Sequence, residues 1–323
     1  MIISKTPYRI PLAGGGTDLD FYYKKKGGFL ISSTINQYIY TCINERTTDE
    51  KILIQTTSTQ FAKSVDQIKH RMIRTVLKYF SIKNKITVGT YSTLPTGVGL
   101  GSSSASIIGL INCLKELLNI KITNKEIVKK AFYLERNLLK IDGGWQDQII
   151  STYGGIKKIE INKNGSYRFS DLKINKNKIK NFEKYLLLIY TNVNRNSSKI
   201  IKSQRKNKTK IIKTYDQIKN LAYDFENLIK KERYKEIGEL FHHHWMLKRK
   251  LSNNMTSSYL DKIYLNLLKE KSFVGGKIIG AGGGGFFLMV SSNIKKSINY
   301  LKKKKLHFLN FSFDSLGSRI IEK

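Results

Sequence analysis

Pro95-Thr-Gly-Val-Gly-Leu-Gly-Ser-Ser-Ser-Ala105 sets three alternating glycines directly before three serines. Upstream, Lys85–Tyr91 alternates as a strand does. Downstream, Ile107, Ile108, Leu110, Ile111, Leu114, Leu117 and Leu118 mark one apolar face and predict a helix over 103–118. Glycines let a loop turn tightly and bring backbone N–H groups against a ligand. The helix behind the loop adds a positive dipole end and unpaired N–H groups. Three hydroxyls stand ready for phosphate oxygens or Mg²⁺. Strand, glycine loop, serines and helix together predict an anion cradle. The Gly-Lys-Ser/Thr ending of a Walker A loop is missing, and no acidic ribose reader follows at the dinucleotide-fingerprint spacing. A plain turn with a serine cap needs fewer glycines and fewer serines.

Outward from this loop stand three further stations. Ala13-Gly-Gly-Gly-Thr-Asp18 follows the strand carrying Arg9; by itself it is either a tight loop capped by Asp18 or a ligand loop. Gly280-Ala-Gly-Gly-Gly-Gly285, between two predicted strands, permits close backbone approach to a ligand or serves as a flexible hairpin. Gly143-Gly-Trp-Gln-Asp-Gln148 places Asp147 at the start of a short helix, downstream of the helical Glu135. Such a carboxylate is a general base, a metal ligand, or a helix-start acid stabilised by the dipole.

The remaining pattern bounds the class. The 323 residues are 40% hydrophobic and 25% charged, enough for a sizeable core and about two domains. Runs at 8–12, 29–33, 38–45 and 52–57 predict strands, and 66–80 a helix. Thr123 and Glu126 form a capping box that opens a helix to about Leu139. Strands are expected at 156–161, 185–190, 274–279, 286–291 and 307–313, and long helices over 197–250 and 256–271. The Asn/Lys-rich stretch 162–184 is the least structured region, which predicts domains at 1–165 and 166–323.

The net charge of +34 comes mostly from lysines spread along the chain. Together with abundant Asn and Ile it reads as compositional drift and solvated faces, not a nucleic-acid patch. Such a surface still favours an anionic substrate. No nucleic-acid or membrane partner is expected. Two cysteines, Cys42 and Cys113, exclude a disulfide framework and fit a reducing cytosol. Lys5 and Arg9 interrupt the apolar start, so no signal peptide is read there. The longest apolar run, 278–290, is too short to span a bilayer. A cytoplasmic monomer or homodimer is the expectation.

In order and content, the stations resemble the GHMP kinases, from about Lys5 to Val290. Leu12-Ala-Gly-Gly-Gly-Thr-Asp18, Gly101-Ser-Ser-Ser104, Gly-Gly-x-Gln-Asp-Gln148 and Gly276-Lys-Ile-Ile-Gly-Ala-Gly-Gly-Gly-Gly-Phe286 are similar to the sugar-kinase branch. That branch holds heptose 7-phosphate kinases and the kinase part of L-fucokinase. The stretches Thr191-Asn-Val-Asn-Arg-Asn-Ser-Ser198 and Trp245-x-x-Lys-x-x-Leu251 resemble the heptose enzymes, while Trp145 departs toward the fucokinase pattern.

The resemblance implies a two-domain α+β fold: an N-terminal domain like ribosomal protein S5 domain 2 and a ferredoxin-like C-terminal domain. It implies an ATP- and Mg²⁺-dependent sugar 1-kinase acting on D-glycero-D-manno-heptose 7-phosphate. The alternatives are an L-fucose- or galactose-type kinase, or a catalytically silent sugar- or nucleotide-binding relative. ATP would contact Pro95, Gly97, Gly99, Leu100, Gly101, Ser102, Ser103 and Ser104. Ser103 and Glu135 would hold Mg²⁺, Asp147 would take the proton of the sugar hydroxyl, and Arg9 would hold Asp147 ionised. The sugar would meet Gly15, Gly16, Thr17, Asp18, Asp147, Gly282, Gly283 and Gly284. Galactokinases carry a Glu-His pair where Gly15 and Gly16 stand. Arg195 and Lys199 are the candidates for reading a sugar phosphate.

Overall fold

The computed structural model describes residues 1–95, 97–194, 197–206 and 208–323. Its strands are β1 (Ile2–Ala13), β2 (Gly28–Glu45), β3 (Ile52–Gln55), β4 (Thr59–Ala62), β5 (Ile86–Ser92), β6 (Ile156–Ile161) and β7 (Tyr167–Asp171). They continue with β8 (Leu186–Tyr190), β9 (Phe273–Ile278), β10 (Phe286–Ser291), β11 (Phe308–Leu309), β12 (Phe313–Asp314) and β13 (Arg319–Glu322). The larger sheet runs β13-β1-β2-β5-β3-β4, with β6 and β12 also on β2, and β7 on β6. The smaller sheet is β11-β8-β10-β9, and its described pairings are antiparallel.

The separate strands expected at 29–33 and 38–45 are one continuous strand. β2 runs unbroken through Thr34-Ile-Asn-Gln37, pairing with β6 through its first third and with β5 through its last. The run expected at 52–57 is β3, the first strand of the β3–β4 hairpin. The helix expected over 66–80 is a short 3₁₀ turn, Val65–Gln67, then an α-helix, Arg71–Tyr79, begun by His70, whose Nδ1 accepts from the Ile73 N–H at 3.4 Å. The Thr123–Glu126 capping box is present, but its helix is α-helical only over Asn124–Tyr133 and widens into a π-turn, Leu134–Leu138, that carries Glu135. Such turns are rare and cluster at functional sites.

Two of the chain's three prolines, Pro7 and Pro11, sit in β1 on either side of Arg9. Proline gives no N–H to a ladder, and the β1–β2 register shifts at Pro7/Arg9 and again at Pro11/Ala13. Between those irregularities the Arg9 N–H leaves the ladder and donates to the carbonyl of Leu100, at 3.0 Å. The sequence of β1 thus ties the glycine loop to the sheet.

One core joins the two sheets. Tyr8, Ile10 and Leu12 of β1 pack in the same cluster as Leu188, Leu288, Val290, Phe225 and Phe241. The helix Ser102–Leu117 covers the other face of β1 and β2. Much of β1 is therefore buried on both sides, its polar Ser4, Thr6 and Arg9 included.

The C-terminal tail does not stay with the smaller sheet. The strand expected over 307–313 is the short β11, after which the chain crosses back: β12 pairs with β2 and β13 with β1. The stretch 162–184 holds β7, which pairs with β6, and the helix Lys176–Glu183. A division at 165/166 therefore separates strands of one sheet.

The returning tail also docks on the helix Gln146–Tyr153. The Ser318 N–H donates to Ser151 O at 2.8 Å, and a Cβ on Gly317 would stand 2.0 Å from Thr152 O. Gly317→Val should therefore lower stability by about 1–3 kcal/mol, the usual cost of overpacking. The urea midpoint reads this; an unchanged midpoint would show that the tail does not anchor that helix.

Candidate active site

The site is built around Arg9. Its Nε and Nη2 donate to the two carboxylate oxygens of Asp147, both at 2.6 Å, and its Nη1 donates to Gly99 O, also at 2.6 Å. A bidentate guanidinium–carboxylate pair fixes orientation as well as charge. It joins β1, the glycine loop and the first turn of the helix Gln146–Tyr153. Gly101, with φ 83°, must be glycine here: a Cβ would press on the Arg9 side chain at 3.1–3.4 Å.

Gly101 is also the N-cap of the helix Ser102–Leu117, and it has no side chain with which to cap that end. Its first N–H groups are left for a ligand, beside the hydroxyls of Ser102 and Ser103 on the cleft wall. The third serine has a different task. Ser104 Oγ donates to Glu135 Oε2 at 2.6 Å, and Gln148 Nε2 donates to the same oxygen at 2.6 Å. Glu135 is 2% exposed yet lines the cleft. Mg²⁺ binds through one or two protein oxygens together with substrate phosphates and water, so a hydroxyl and a carboxylate on one wall suit it.

Gly143 and Gly144 leave room for larger groups. A Cβ on Gly143 would meet Arg136 Nη2 at 2.4 Å, and one on Gly144 would meet Asp18 Oδ2 at 2.1 Å. Arg136 donates to Ile141 O at 3.0 Å and Gly144 O at 3.1 Å, pinning the turn, and Trp145 stacks on Phe132 with ring centroids 3.6 Å apart. Asp18 accepts from the Gln146 N–H at 3.0 Å. Burial pushes the Asp18 carboxyl above the ordinary carboxylate range; the Gln146 N–H opposes this, and nearby Asp147 adds to it.

The opposite wall comes from the C-terminal half: Ile201, Gln204 and Tyr215, then His244, Lys248 and Lys277. Arg205 crosses the gap to Asp20 at 2.7 Å and Asp142 at 3.3 Å. The glycine stretch 280–285 lies behind this wall. Gly285 approaches the phosphate-loop side so closely that a Cβ would be 2.1 Å from Val98 O.

Of the residues predicted from sequence, Arg9, Gly15, Gly16, Asp18, Gly97, Gly99, Gly101, Ser102, Ser103, Glu135 and Asp147 line this one cleft. The other described ones sit elsewhere. Pro95 is exposed outside it, and Leu100 is fully buried. The Thr17 hydroxyl donates to Gly14 O and Phe29 O, closing its own loop. Gly282, Gly283 and Gly284 pack on Met255, Ile200 and Val193. Lys199 is exposed and away from the lining, and Arg195 lies outside the described residues. Gln148, Arg136, His244 and Lys277 were not foreseen. A lysine inside the otherwise apolar and glycine-rich β9 was the signal for the last.

The raised carboxyl of Asp18 makes its stability contribution pH-dependent. Below an unfolded value of about 3.9 the protonated form is accommodated without cost; as pH rises through the folded value, burying the charge becomes unfavourable. Asp18→Asn should therefore raise the melting temperature relative to wild type at pH 8, with the gain shrinking toward pH 4. A gain that is constant with pH would contradict this.

A match to the GHMP kinases N terminal domain covers residues 67–155. The chain is 30% identical to the D-glycero-alpha-D-manno-heptose 7-phosphate kinase of Campylobacter jejuni, covering 98% of this chain and 97% of that one. A Campylobacter jejuni structure described as a sugar kinase superposes with TM-score 0.79 at 27% identity, over 99% of this chain and 97% of the other. A heptose 1-phosphate kinase structure from Bacteroides thetaiotaomicron gives TM-score 0.83 at 23% identity, over 100% and 99%, a likeness of fold. With a relative at this identity over nearly all of both chains, and with the glycine loop, the paired Arg9 and Asp147 and the two joined sheets in place, the chain belongs to the GHMP kinases, which use ATP as phosphoryl donor.

Proposed function

We propose that this kinase phosphorylates the anomeric hydroxyl of D-glycero-D-manno-heptose 7-phosphate, giving the 1,7-bisphosphate for nucleotide-heptose biosynthesis. The carrying observation is the Asp147 carboxylate, clamped by Arg9 within the cleft that also contains the uncapped helix end at Ser102. The heptose-kinase relative supplies the substrate class.

Phosphoryl transfer requires positioning and charge neutralisation more than covalent chemistry. Asp147 receives the proton of the anomeric hydroxyl as the new O–P bond forms and the bond from the γ-phosphorus to ADP breaks. Arg9 keeps the carboxylate aimed and adds positive charge beside the transferred group. The N–H groups after Gly101, with Ser102 and Ser103, bind the phosphates. Ser103 and Glu135 would hold Mg²⁺, which supplies charge neutralisation. Ser104 and Gln148 keep the Glu135 carboxylate in place. The free thiols Cys42 and Cys113 suit a cytoplasmic setting.

The test is ADP release across a sugar panel: heptose 7-phosphate, unphosphorylated heptose, L-fucose and galactose. Preference for L-fucose or galactose would replace this reading with a neutral-sugar kinase. Asp147→Asn should retain ATP binding and lose roughly 10²–10⁴-fold in turnover; more than a third of wild-type turnover would exclude Asp147 as the proton acceptor. Separately, Glu135→Gln should raise the Mg²⁺ concentration for half-maximal rate. A titration that overlays wild type would remove Glu135 from the metal.

A further inference from the structure

Three basic side chains meet on the C-terminal wall of the cleft and have no task in the transfer step. Lys277 of β9 is 1% exposed; its ammonium donates to Leu12 O and lies 4.5 Å from the centroid of Phe241. Lys248, on the helix Tyr234–Arg249, is 8% exposed and donates to the carbonyls of Gly280 and Ile278. His244, one turn earlier, is 3% exposed, and its Nδ1 is 3.4 Å from Lys277 Nζ.

An ammonium can only donate, so Nδ1 is the acceptor and a neutral ring carries its proton on Nε2. That Nε2 is buried and has no hydrogen-bond partner among the described residues, while the ring lines the cleft. Burial holds Lys277 and His244 well below their ordinary pKa values. Neighbouring cations push the same way, Lys248 on Lys277, and Lys277 then Lys248 on His244. Basic groups held together in a cleft wall favour an anionic ligand beside them.

We propose that Lys248, Lys277 and His244 form the subsite for the phosphate that the sugar substrate already carries. The chemistry is that of a phosphate monoester, with two ammonium groups for its charge and the His244 Nε2–H as a directed donor. ATP has its own cradle on the other wall, at the uncapped helix end. The assignment also accounts for specificity, because an unphosphorylated sugar brings no acceptor of a phosphate's charge to the His244 Nε2–H. This inference rests on the heptose-phosphate reading above.

Calorimetry of the whole protein with heptose 7-phosphate, unphosphorylated heptose and ATP tests it. Lys248→Met, which keeps the apolar stem, should weaken heptose 7-phosphate binding about ten- to a hundredfold, the range for a lost charge-assisted hydrogen bond. Affinities for unphosphorylated heptose and ATP should not move. His244→Gln, a second variant that retains an amide donor, should show a smaller loss with the same selectivity. Equal losses for both heptoses, or a loss confined to ATP, would overturn the subsite. So would a wild type that prefers the phosphate while both variants keep that preference, and in that case the functional reading survives. A wild type indifferent to the phosphate would overturn both.

Discussion

The bidentate pair between Arg9 and Asp147 is the contact on which the site depends. Three segments far apart in sequence meet there: β1 through the guanidinium stem, the glycine loop through the Gly99 carbonyl, and the helix Gln146–Tyr153 through the carboxylate. A long flexible side chain would not hold such a position alone. Here the backbone holds it, because Pro7 and Pro11 break the ladder around Arg9 and free its N–H for Leu100. Asp147 is held from two further sides. Gly144 lets Asp18 pack under the turn before it, and the C-terminal tail supports the end of its helix at Ser151.

That constraint also explains the glycines. A loop that must offer N–H groups to a ligand on one side and receive an arginine on the other has no space for side chains, which is the situation at Gly101. The same requirement recurs at second hand in the stretch 280–285, which the sequence left open between ligand contact and flexible hairpin. Its last glycine backs against Val98. The stretch therefore buttresses the glycine loop 97–101 from the other half of the chain, and only Gly280 and Ala281 of it line the cleft.

Sequence reading went far where chemistry is local. The loop, the helix behind it, the capping box at Thr123 and the nearness of Asp147 to Arg9 were legible because each rests on a short pattern or on a motif with one role per position. Reading failed where the determinant is distant. Nothing in Ser104 distinguishes a hydroxyl that meets ATP from one that holds Glu135; the difference is Gln148, brought in by another helix. The return of β12 and β13 to the first sheet was invisible because two- and four-residue strands acquire their identity from the edges they pair with. Lys199 was chosen for proximity to a motif, whereas Lys248 and Lys277, which line the cleft, were hidden in a long helix and an apolar strand.

Those buried cations give a way to think about the net charge of +34. Most lysines are exposed, in contact with water and in ion pairs that are worth little individually. They do not select a ligand, because their heads are mobile and screened within about 10 Å. Their summed field raises the local concentration of anions and speeds encounter. Selection needs cations that have already lost water and whose geometry is fixed, as the carbonyls of Leu12 and Gly280 fix Lys277 and Lys248. The basic composition and the basic cleft are thus separate features. One drifts with the surface without altering what binds, while the other is held by β9, the helix Tyr234–Arg249 and β1, so that changing any one of those three elements moves the charge that a phosphate would meet.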